Sequence, residues 1–192
     1  MSAAIAAAAV VAFASPAEAK GIADCVARVM PADARAAIVS GYESGGTDAL
    51  KSLPSQAVVQ AMVTRCKNEE RGTRQKQAEL FGRALAGYTL KVAAEGSLNQ
   101  RRHVTSPALE SAWSKLSAAE QAQFTYSAEN SPSLELVYRF VSTVRPDITR
   151  AQFDTLDKSE SPPADVRAIA PVVEELIHYA MGRATFESAR AG

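Results

Sequence analysis

The chain has 192 residues, sets 21 Lys and Arg against 21 Asp and Glu, and is 47% hydrophobic with two cysteines. That length suffices for a single domain with a real core. The even charge balance carries no electrostatic footprint for nucleic acid or an anionic membrane surface. Richness in alanine, only ten glycines and few β-branched runs predict an all-α protein, a compact array of six to eight helices.

Residues 1–19 read as a cleavable signal peptide. An apolar run over residues 5–14 is broken by Ser15-Pro16, and Ala17-Glu18-Ala19 places small residues at −3 and −1 of a cleavage site before Lys20. The run is too short for a membrane span. Ile22-Ala23-Asp24-Cys25 faintly resembles a lipobox, but Asp24 and the distance from the apolar run argue against lipidation. The presequence resembles a bacterial one, so the expected destination is the periplasm, an oxidising compartment. Residues 20–192 would then be one all-α domain: a stapled hairpin over 20–72, followed by the remaining helices over 73–192.

Both cysteines lie in that hairpin. Ile22, Cys25, Val26 and Val29 form one apolar helical stripe, and Val58, Val59, Met62, Val63 and Cys66 form another. Antiparallel packing of the two segments brings the start of the first to the end of the second. In an oxidising compartment a Cys25–Cys66 disulfide is expected, with one intramolecular pairing available to two cysteines; the alternative is two buried free thiols packed as small hydrophobes. Pro31 disfavours helical geometry at Met30, so either a kink or a fresh helix from Pro31 follows, running to about Ser40. Residues 41–47, with Gly45-Gly46 at the tip, read as a turn. Pro54 suits the first turn of the second arm.

Thr73 caps a helix predicted to reach about Glu95, with Phe81, Ala84, Leu85, Tyr88 and Val92 on its apolar face. Ala78, Gly82 and Ala86 recur four apart, a spacing that lets helices pack tightly. Residues 96–106 read as a polar loop carrying Arg101-Arg102-His103. Ser106-Pro107 opens a helix through Trp113 and Leu116. Ser117-x-x-Glu120 is a capping-box spacing that opens a helix with Phe124 and Tyr126. Ser131-Pro132 begins another, with Leu134, Val137, Tyr138 and Val141 inward. Thr149-x-x-Gln152 is a second capping box, and a last helix over about 164–189 should kink or split at Pro171.

Few residues offer chemistry. Glu175-x-x-His178 has the Glu-x-x-His spacing of di-iron helical bundles, which sets two ligands on one helix face. Such sites need a second pair and two further carboxylates. His103 has no glutamate three residues before it, so Glu175 and His178 read as an ordinary helix surface. Glu43-Ser44-Gly45, after an apolar helix end, resembles the Glu-Ser segment of peptidoglycan lytic transglycosylases. The resemblance covers residues 38–49 and implies Glu43 as general acid. The downstream Gly-Leu-Met-Gln type segment of that family is absent. Lys51-Ser52-Leu53-Pro54 stands there instead, so Glu43 is expected on an exposed turn. No Gly-x-Ser-x-Gly elbow is present. The functional expectation is therefore an exported, non-enzymatic binding, scaffolding or envelope protein with no cofactor, partnered by a protein or a cell-envelope component. The alternative is a lytic enzyme acting on peptidoglycan through Glu43.

Overall fold

The structure, a computed structural model, describes residues 21–69, 72–125 and 131–191. The expected signal peptide at 1–19 and the aromatic Tyr126 lie outside the described residues. Those residues form nine α-helices, and none is in a strand. They are α1 (Ile22–Val29), α2 (Ala32–Ala49), α3 (Gln56–Cys66), α4 (Arg74–Arg102), α5 (Ser106–Ser114), α6 (Ala118–Gln123), α7 (Leu134–Val144), α8 (Arg150–Lys158) and α9 (Ala164–Ala191), with a short 3-10 turn at Leu50–Ser52. None is long and apolar enough to cross a membrane.

Helices α4 and α9, each roughly 40 Å long at 1.5 Å per residue, run antiparallel as the spine. They meet backbone to backbone. A Cβ on Gly87 would lie 2.4 Å from the amide nitrogen of Phe186, and one on Gly182 would lie 2.4 Å from that of Lys91. No other residue type fits either position. Gly96 makes room for a side chain of α2, since a Cβ there would lie 2.4 Å from Val39 Cγ2. This corrects the loop expected over residues 96–106. Gly96 is a contact glycine inside α4, and Ser97 and Leu98 beyond it are buried. The helix ends only at His103, whose φ of 55° turns the chain so that the Val104 amide bonds back to the Leu98 carbonyl at 3.1 Å.

Two apolar layers flank this spine. One joins α1, α2 and α3 to α4 and the C-terminal end of α9, burying Ile22, Val26, Ile38, Met62 and Phe81. Cys25 and Cys66 are disulfide-bonded there with a Cα separation of 5.7 Å, within the usual range. Val29 and Pro31 lie beside Val58 and Met62, so α1 and α3 are antiparallel as expected, although Val63 points to solvent. The other layer packs α5–α8 on the spine through Trp113, Phe124, Phe140, Phe153 and Tyr179. Its rings meet edge-on, tilted or stacked, with centroids 5.9 Å apart for Phe124 and Phe140 and 6.5 Å for Phe140 and Tyr179. Leu134, expected inward, is exposed.

Local signals account for most of the helix starts. Thr73 accepts from the Lys76 amide at 3.2 Å, and Ser117–Glu120 and Thr149–Gln152 form full capping boxes. Ser133, two residues later than expected, caps α7. Helix α9 continues through Pro171 without splitting. Helix α2 also differs from its expectation. It runs to Ala49 rather than ending near Ser40, and only Gly46, at φ 60°, leaves helical geometry. The residues after that break lie along α4.

Gly87→Ala should cost about 3 kcal/mol, at the upper end for overpacking, because the clash is with backbone. Gly82→Ala, whose Cβ would meet nothing within 4 Å, should be neutral or stabilise by up to about 1 kcal/mol. Chemical unfolding of both variants checks the pair, and equal effects would contradict the crossing. Reducing the disulfide, which closes a loop of sequence separation 41, should remove about 4 kcal/mol. The melting midpoint with and without reductant reads this directly.

Candidate functional site

The residues singled out by sequence fall near the meeting of α2, α4 and α9. Tyr42 is buried on α2, and its hydroxyl lies 2.7 Å from His178 Nδ1, with the two rings edge-on. Burial first, then Glu175 and Glu174, pushes the Tyr42 phenol well above its ordinary value, so the hydroxyl keeps its proton. Donation to Nδ1 satisfies that proton and leaves the ring hydrogen on Nε2. Burial also pushes the His178 imidazole down, with Glu174 and Glu175 opposing.

Glu175 faces elsewhere. Its Oε1 accepts from Arg102 Nη2 at 3.3 Å, with a side chain only 8% exposed. Glu175 Oε2 and Arg102 Nε are buried without partners. The Glu-x-x-His pair is thus split between two different neighbours, and no group of three or more metal-type ligands assembles among the described residues. Glu43, next to Tyr42, is half-buried in α2 rather than on an exposed turn. Its Oε1 is buried and unpartnered, and its carbonyl accepts from Arg101 Nη1 at 3.4 Å. The basic triplet therefore forms the C-terminal end of α4, docking on α2 and α9, and is not a solvated loop.

His178 also borders a groove of about 910 Å³ between α4, α9 and residues 47–53. Gly82, Leu85, Ala86 and Leu90 line it from α4, Met181 from α9, and Leu50 and Leu53 from the opposite wall. The small-residue stripe that the sequence suggests for tight helix packing proves to be exposed: Ala78, Gly82 and Ala86 face outward, and the last two line the groove. Arg83 stands at its edge, and Thr89, only 5% exposed, lines it with an Oγ1 that has no hydrogen-bond partner. Sequence reasoning missed Tyr42, Arg83 and Thr89. A tyrosine, an arginine and a threonine inside helices carry no local signal, and only the Gly82–Ala86 spacing pointed to this face.

A second polar cluster lies on the other side of α9. Trp113 Nε1 donates to Glu187 Oε2 at 3.2 Å, Tyr179 donates to Glu110, and Arg183 bonds both carboxylates. It fastens α5 to α9, and both carboxylates share the Arg183 guanidinium and accept a further hydrogen bond from a neutral ring donor. No family model, curated protein or solved structure matches the chain.

Because the folded value of His178 is depressed, its stabilising share is present above about pH 6.5, the ordinary unfolded value. It is lost as pH falls through that value toward the lower folded one. Urea unfolding at pH 7.5 and 5.5 should therefore show a smaller drop in stability for His178→Gln than for wild type. Parallel losses in the two proteins would exclude the imidazole as the source.

Proposed function

We propose that this chain is an exported, non-catalytic binding protein of the bacterial periplasm, holding its ligand in the groove between α4, α9 and residues 47–53. The observation that carries the reading is the groove itself: about 910 Å³, mainly apolar in its lining, with one buried and unpartnered hydroxyl at Thr89. Small-molecule sites typically offer about 300–1,000 Å³ and combine apolar walls with a few placed polar groups. A buried hydroxyl without a partner costs about 1–3 kcal/mol, and a ligand that bonds it recovers that cost. Export is supported by the apolar presequence and by a disulfide, which persists in oxidising compartments.

A second reading, a lytic enzyme acting on peptidoglycan through Glu43, draws support from that residue's half-buried carboxylate with its unpartnered oxygen. Glu43 is not part of the groove lining, which favours the binding reading. A peptidoglycan zymogram separates the two. No clearing is expected from the wild type, and clearing that disappears in Glu43→Gln would reverse the order.

Protein isolated from a periplasmic extract should begin at Lys20 and carry a non-covalent adduct in native mass spectrometry. Gly82→Trp, which fills the groove at a position with open space above it, should lose that adduct. An intact amino terminus would defeat export, and an adduct retained by Gly82→Trp would defeat the groove.

A further inference from the structure

We infer that the groove selects a single-chain anionic amphiphile, its acyl chain on the apolar floor and its carboxylate or phosphate head against Arg83; this rests on the groove being the ligand site. The floor decides the body of the ligand. From Gly82 to Leu90, α4 offers about 12 Å of helix, with Leu85, Leu90 and Met181 on the groove. Gly82 lets a chain lie against the helix backbone, since nothing stands within 4 Å of where its Cβ would be. Methionine adapts its shape to flexible apolar partners. An extended hydrocarbon fits such a slot better than a rigid fused ring system, whose width the groove would have to match.

Charge decides the head. The charged groups on the groove are Asp48, Lys51 and Arg83. Asp48 and Lys51 neutralise one another at 2.7 Å. Arg83 has no carboxylate partner among the described residues, so the uncompensated charge at the groove is positive. A guanidinium presents donors in a fork that matches a carboxylate or phosphate. Thr89 is the independent second observation: a hydroxyl at least nine-tenths buried, on the groove and without a partner. Lying six residues along α4 from Arg83, it would bond an oxygen carried part-way down the chain, as in a hydroxylated or ester-linked acyl group.

The test is calorimetric titration of the full mature chain with dodecanoate, dodecyl phosphate, dodecanol and dodecyltrimethylammonium, each below its micellar concentration. Saturable one-to-one binding is expected for the two anions, at least ten-fold tighter than for the cation. Going from decanoate to dodecanoate should add about four-fold per methylene. Arg83→Glu, an exposed position, should abolish the preference for anions, and Gly82→Trp should abolish binding. With 8-hydroxydodecanoate as probe, whose hydroxyl can stand about 9 Å from the carboxylate, the rise of six residues along a helix, Thr89→Val should lose several-fold while Thr89→Ser retains the affinity. Circular dichroism and the unfolding midpoint establish that each variant is folded.

Equal affinity for all four heads, or an anion preference that survives Arg83→Glu, would overturn the anionic amphiphile. The groove would still stand as a binding site provided Gly82→Trp blocks it. Failure of every probe to bind, or binding indifferent to Gly82→Trp, would overturn both. A concentration-dependent dimer that dissociates in Gly82→Trp would assign the groove to a second copy of the chain instead.

Discussion

The fold depends on one contact, the crossing of α4 and α9 at Gly87 and Gly182. Each glycine sits where a Cβ would lie 2.4 Å from a backbone nitrogen of the other helix, so the two helices touch through their main chains. That closeness brings Phe186 against Tyr88 on one side and sets Tyr179 into the aromatic layer on the other. The groove runs along the same crossing, since Gly87 lines it together with its neighbours on α4 and with Met181 and Thr185 on α9. Closer approach at one point thus serves both packing and the formation of a concave surface beside it.

The third wall of that surface comes from the disulfide layer. Cys25–Cys66 ties α1 to α3, and the chain between them must leave α2, pass the groove and return within a loop of fixed ends. Inside α2, Gly46 supplies the non-helical step this needs, at φ 60° and ψ −150°, a region that costs a side chain and that glycine enters freely. Residues 47–53 then lie along α4, contributing Leu50 and Leu53. The staple, although remote from the groove, therefore helps define its shape.

Helix α9 carries ionisable groups on two faces with different outcomes. Toward α5, Arg183 and Glu187 meet Glu110, Tyr179 and Trp113 in a hydrogen-bonded network. Toward α2 and the end of α4, Glu175 and Arg102 each keep a buried atom unpartnered, and His178 is held neutral by burial. Buried polar atoms without partners cost stability. Their place between α2 and the end of α4 contrasts with the hydrogen-bonded network opposite, where polar groups hold helices together.

Much of this architecture is legible in the sequence because its causes are local. Capping residues at Thr73, Ser117 and Thr149, the break at Pro31 and the 3.6-residue apolar stripes act within one or two turns, so all-α structure and most helix starts follow from them. The Cys25–Cys66 pairing is legible for a combinatorial reason, there being no other partner. Gly96 and the 41–47 segment misled because glycine is ambiguous: the same residue permits a turn or a close helix contact, and only the position of Val39 or Phe186 in space selects between them. The groove, Thr89 without a partner and the Tyr42–His178 bond arise from residues far apart in the chain meeting at particular angles. The amino-acid order by itself thus determined the helices and their staple. The crossing of α4 and α9 decided which faces were buried, and so which residues were left to line the groove.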